Sequence, residues 1–501
     1  MSFFLDRRSF IRLCSAAAAF LTQAGHAQVK PAPRVGRMGV KNREHYVGIK
    51  VRAYAFVDEG IDQALDNMQQ KGDVNTIWPY TFGYAETRLK KGVSLPDHGV
   101  AGNSVVGGAF YDYDPKYFQN TTIKEFRARD YGKYNVIADV APKAKARGMD
   151  YVAWDLNNIS PTLVRSVPGF TDICEIDLYG RRTAGPCFNN PDYQAFLTGK
   201  VESTLCGYPD LVDGYAWGAE REGPFENVMN RGGQATCFCQ FCQAKARDLG
   251  ISVPRAQAGY RELAEFYDAA LRNERPNDGY FVSFWRLLLK YPEILSWESL
   301  WTDSFQGMQA ELYGTAKAIA PQKPFGFHIM QSMTFSPFYR AEEDLKKRKE
   351  FADFLKIATY NNAGGPRMAT YLRRLGDTLF HDAEPKDFLA FYYKIMGFEE
   401  APFDQLPTAG LSADYVARET KRALADVGGA VKIYPGIDID VPTLTTGKTK
   451  EKHTEPDDVR QSIRAAIGAG ADGVVLSRDY VEMWLAKLSA AGETLRELWG
   501  K

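Results

Sequence analysis

The chain carries no surplus of either charge: of 501 residues, Lys+Arg and Asp+Glu number 62 each, and the isoelectric point is near 7.0. Nucleic acid and anionic membrane surfaces ask for a basic field, so this balance excludes both as partners. There is no internal repeat, no low-complexity tract and no linker that marks a second folded domain. Past the N-terminus no apolar run approaches the roughly 20 residues that cross a bilayer, which excludes a membrane protein after that point. A working dinucleotide fingerprint is also missing. Gly468-Ala469-Gly470-Ala471-Asp472-Gly473 has the glycine spacing, but it closes a helix and opens a strand, whereas the fingerprint follows a strand and opens a helix. No organic cofactor is therefore expected.

What is present is a globular composition, 45% hydrophobic and 13% aromatic. An aromatic-rich, charge-balanced chain suits a neutral ligand such as a sugar. Asp6-Arg7-Arg8-Ser9-Phe10-Ile11-Arg12 resembles the twin-arginine export motif. An apolar run from Leu13 to Leu21 and a small-x-small site at Gly25-His26-Ala27 follow it. Residues 1–27 are thus expected to be a signal peptide read by the twin-arginine machinery, with a soluble periplasmic or secreted product.

From residue 28 onward, strand-like runs alternate with helical patterns, which predicts a single (β/α)8 TIM-type barrel with long loop insertions. The eight expected strands are 47–56, 74–80, 151–154, 211–220, 325–330, 354–360, 430–440 and 473–477. A long loop is expected over 90–130, a cysteine-rich loop near 187–242, and a helical insertion near 254–320. Such barrels carry their chemistry at the C-terminal tips of the strands.

The fourth strand ends in Glu220-Arg221-Glu222-Gly223-Pro224, delivering two carboxylates on one side by strand alternation. Glycoside hydrolysis needs two carboxyl groups facing one cleft. Glu220 and Glu222 are candidates for one of them, Glu220 being nearer the rigid strand. Asp438 and Asp440, on one face of the seventh strand, are candidates for the other, with Asp155 and Asp479 in reserve. Trp78, Tyr80, Tyr84, Trp154 and Trp217 sit at or near strand tips, where rings could stack on a sugar or pack in the core. Asp155, Arg221, Asn361 and Arg478 complete the expected substrate contacts. His328 reads equally as a core residue or a contact to a sugar hydroxyl.

Cys187 precedes an N-P segment, and Cys237, Cys239 and Cys242 form C-x-C-x-x-C. Four thiolates in that pattern suit a closed structural zinc site, whereas C-x-C spacing strains paired disulfides. Cys174 and Cys206 remain open to a disulfide reading. This combination of a cysteine before N-P, an acidic strand tip and C-x-C-x-x-C resembles the β-galactosidases of glycoside hydrolase family 42. The resemblance implies zinc at Cys187, Cys237, Cys239 and Cys242 beside the acid/base glutamate. It also implies a glycosidase acting on a carbohydrate. Aligned on Trp217, the family's W-x-x-x-N-E falls on Arg221-Glu222, so the usual asparagine is replaced. Outside 187–242, Ser336 to Glu342 (S-P-F-Y-R-A-E) and Ser477 to Met483 (S-R-D-Y-V-E-M) resemble uncharacterised barrels grouped with glycoside hydrolases.

Overall fold

The computed structural model describes residues 45–88, 103–229, 232–443 and 451–500; the expected signal peptide lies outside them. Eight parallel strands form the centre: β1 (Tyr46–Val51), β2 (Thr76–Arg88), β3 (Asp150–Asn157), β4 (Gly214–Ala219), β5 (Phe325–Ile329), β6 (Phe354–Ala358), β7 (Lys432–Asp438) and β8 (Gly473–Ser477). Each pairs with the next in chain order, and β8 pairs with β1 in the register Tyr46↔Gly473, which closes the barrel. Helices cover the outside, so the strands are buried on both faces and read as apolar runs. Among the described residues no helix is long and apolar enough to cross a membrane.

Local chemistry sets the helix starts. The Asn135 side chain accepts from the backbone of Ile137 and Ala138 at the head of Val136–Ala146. Asn190 caps Pro191–Gly207, with Pro191 in the first turn, where its missing N–H costs nothing. The expected insertion after β4 is built from Val253–Leu271, Tyr280–Lys290 and Glu293–Ile319.

Two boundaries differ most from expectation. The first strand stops at Val51, and Ala53 onward turns helical. The second runs on to Arg88 and pairs antiparallel with Asn103–Ala109, so part of the expected long loop is a β-ribbon rising from the barrel.

The barrel interior is filled in layers. At one level Tyr46 stacks on Tyr434 with centroids 4.1 Å apart, and Trp78 donates its indole N–H to the Tyr46 hydroxyl at 2.7 Å. Further toward the C-terminal face sit Lys50, Trp154, His328 and Lys356. Glycines opposite these large groups make the room. A Cβ on Gly218 would lie 2.7 Å from the Trp154 ring, and one on Gly436 would lie 2.5 Å from the Lys356 ammonium nitrogen.

Candidate active site

Glu220 follows the last residue of β4 and shares the inward parity of Gly218, one strand period back. His328 comes from the neighbouring β5, and its Nε2 lies 3.2 Å from Glu220 Oε1. The histidine side chain is 1% exposed, whereas the glutamate is 36% exposed, so Glu220 opens the pair to solvent. Burial, together with the charges of Lys50 and Lys356, pushes the imidazole down to about 3, so it is neutral at physiological pH. It then donates from Nε2 to an ionised Glu220. Burial opposes ionisation of Glu220, but the His328 bond and the charges of Lys50 and Arg478 outweigh it. They hold the carboxyl well below its usual range.

Around this pair stand Lys50, Lys356, Arg52 and Glu482, which the sequence pattern did not single out, together with the expected contact Arg478 and the expected strand-tip ring Tyr84. Lys50, 2% exposed, places its ammonium 4.3 Å from the centroid of the Trp154 ring, and burial lowers it to about 8. Lys356 lies beside His328 in the β5–β6 register and donates to the Tyr360 hydroxyl. Burial drives it well below the ordinary lysine range. Arg52 and Arg478 both bond Glu482, Arg52 at 3.2 Å and Arg478 Nε at 2.9 Å. The Tyr84 hydroxyl feels the charges of Glu220, Arg478, Arg52 and Glu482, which places Glu482 in the same neighbourhood as Glu220. A lysine at an inward position of an apolar strand, as in V-G-I-K-V and F-L-K-I-A, was the available signal for Lys50 and Lys356.

The β7 aspartates do not present a free carboxylate to Glu220. Asp438 is fully buried and accepts from the backbone N–H groups of Ala363 (2.9 Å) and Val441 (3.1 Å) and from the Thr454 hydroxyl (3.3 Å). Burial raises it to about 6. Asp440 is turned to the Trp484 N–H and the Lys487 ammonium. Asp479, also fully buried, is tied to Arg52 at 3.5 Å. Glu222 is buried, and its charge acts on Tyr339, Tyr371 and Glu342.

Several expected sugar contacts lie elsewhere. Asp155 points outward, to Lys200 and the Tyr215 hydroxyl, each at 2.9 Å, joining the barrel wall to Pro191–Gly207. Arg221, of opposite parity to Glu220, bonds Glu175 at 2.6 Å and the Pro186 carbonyl at 3.0 Å. Asn361 bonds the Ser462 hydroxyl at 3.1 Å inside the helix layer. Trp78, Trp154 and Trp217 have no exposed surface, and Trp217 packs outward against Phe305. Tyr80 is 4% exposed and lies close enough to Arg478 for their charges to interact.

Cys187, Cys237, Cys239 and Cys242 converge, all buried, with their sulfurs within 4.8 Å of one another. Cys187 Sγ is 3.6 Å from Cys239 Sγ and 3.5 Å from Cys242 Sγ. A tetrahedral site with metal–sulfur bonds of about 2.3 Å has sulfur–sulfur edges of about 3.8 Å, so the thiols fit a bound ion. The Ile176 and Cys239 N–H groups and the Asn189 amide point at these sulfurs, as expected around thiolate ligands. Cys174 and Cys206 are both free, the first buried and the second exposed, so no disulfide joins them.

No protein-family model matches the chain, and no curated protein matches it either. Among solved structures it is similar to the β-galactosidase of the psychrophilic Marinomonas ef1. That match has 10% identity over 91% of this chain and 59% of the other, with a TM-score of 0.52. It is also similar to the polyextremophilic β-galactosidase of the Antarctic haloarchaeon Halorubrum lacusprofundi. There the identity is 14% over 91% of this chain and 58% of the other, with a TM-score of 0.50. The chain thus spans less than two thirds of either. The likeness establishes the fold, a (β/α)8 barrel.

Proposed function

We propose that this protein is an exported glycoside hydrolase whose cleft is centred on Glu220, with a structural zinc in the cysteine-rich loop. The observation that carries this reading is Glu220 itself: a half-open carboxylate at the tip of β4, gripped by His328 and ringed by buried charge. Glu482 is the partner carboxylate that best meets the need for a second acid group, since it shares Arg478 and Tyr84 with Glu220. Both are held in the ionised form, and a proton must reach one of them when substrate binds. The twin-arginine motif supports release into the periplasm or beyond.

A second reading rests on Lys50, whose pKa of about 8 suits a general base near neutral pH. With arginines beside it, such a base fits a carbohydrate lyase. A panel of aryl glycosides and polysaccharides, run with wild type and Glu220→Gln, decides between them. Reducing ends without an unsaturated product, lowered about 10²–10⁴-fold in the variant, are expected of the hydrolase. An unsaturated product assigns the lyase, and full activity of Glu220→Gln on every substrate overturns the assignment of this carboxylate.

A further inference from the structure

Charges inside proteins are normally paired, because an isolated buried ion is costly. The cleft departs from this in one place. Among the described residues, Lys50, Lys356 and Arg367 have no ion-pair partner, although each is buried or half-buried. Lys50 has only the face of Trp154, and Lys356 only the Tyr360 hydroxyl and ring. Arg367 donates to neutral acceptors, Gln331 Oε1 at 2.8 Å and the carbonyls of Pro442 at 2.6 Å and Thr443 at 3.4 Å.

All three converge on one region. The charges of Lys50 and Lys356 both act on His328, and those of Lys50 and Glu220 act on Lys356. Arg367 interacts with Arg478, Tyr360, Asp438 and Glu220. The carboxylates nearby are committed: Asp438 to backbone N–H groups, Asp479 to Arg52, Glu482 to two arginines. Among the described residues near them, Glu220 is the carboxylate left beside these three basic side chains, none of which has an ion-pair partner.

We infer that the cleft binds a glycan bearing an anionic group, a carboxylate or a sulfate ester, which pairs with Lys50, Lys356 and Arg367 beside Glu220. This substrate class rests on the reading of the cleft as a carbohydrate site. It also answers a problem of that reading. An anion placed among these cations cancels part of the field that keeps Glu220 ionised, so the carboxyl shifts toward the protonated form that a leaving group needs. The substrate's own charge then arms the acid, and neutral sugars do not.

The test is calorimetric titration of the full-length protein with three probes: a tetragalacturonate, the neutral galactotetraose, and a sulfated galactan tetrasaccharide. Either acidic probe is expected to bind at least tenfold tighter than the neutral one, its affinity falling with added salt; which acidic probe wins identifies the group. Lys50→Met and Arg367→Gln should each weaken that binding by on the order of tenfold or more, with Lys50→Arg retaining most of it. Neutral binding as tight as acidic binding overturns the inference and leaves the carbohydrate reading standing. So does acidic binding unchanged in a folded Lys50→Met. Failure of all three probes to bind overturns both.

Discussion

His328 Nε2 and Glu220 Oε1 meet at 3.2 Å across the tips of β5 and β4, a neutral imidazole donating to an ionised carboxylate. The imidazole is held near 3 where an unfolded histidine sits near 6.5. The folded state therefore refuses a proton that the unfolded chain accepts. Stability from this site is complete above about pH 6.5 and drains as pH falls toward 3, at up to about 1.4 kcal/mol per pH unit. Thermal melts across that range should show a steep acid limb in wild type and a shallower one in His328→Asn. Superimposable limbs would remove His328 from the account.

The cysteine cluster should hold about one zinc per chain, released by the combined Cys237→Ser and Cys239→Ser change. Because such a site acts through folding, the variant should lose stability by several degrees of melting temperature before it loses any chemistry. Atomic absorption and melting curves check this. Metal-free wild type with disulfides among these four cysteines would refute it.

Gly436→Ala should cost roughly 1–3 kcal/mol, since the new methyl meets the Lys356 side chain and a packed barrel yields little. The same substitution made in a Lys356→Ala background should cost less, and denaturant unfolding of the four proteins measures the coupling. Equal costs in both backgrounds would mean that Lys356 is not what fills that space.

Replacing Arg7 and Arg8 with lysine should leave folded precursor in the cytoplasm, because the export receptor reads that pair. Fractionation of cells expressing the double variant gives the answer. Normal export would point to another route.

The barrel was legible because each strand is an apolar run between helical patterns, and all eight lie where those runs predict, with ends shifted by a few residues. The site was legible only in part. Alternation along β4 separates Glu220 from Trp217 and Arg221 correctly, but sequence alone does not say which parity faces the axis. That is why Asp155 and Arg221 read as cleft residues when they face, respectively, the helices and the hairpin of Cys174–Ile176 with Arg182–Pro186. Asp438 and Asp440 sit at the expected tip, yet backbone donors from neighbouring loops claim them, and such long-range hydrogen bonds leave no periodic trace. Lys50 and Lys356 went unread for the opposite reason: charged residues in buried strands run against the pattern that identifies the strand.

Arg221 faces away from the cleft, yet it is the residue that follows Glu220 in the chain. Its guanidinium is fastened to Glu175 and to the carbonyl of Pro186, the residue before the cysteine that opens the thiol cluster. Strand tip, hairpin and cysteine loop are therefore one mechanical unit spanning residues 174–242. A graft of the β4 tip alone into another barrel would carry the carboxylate without what aims it. The whole span, moved as a single cassette, is the smallest portable form of this half of the cleft.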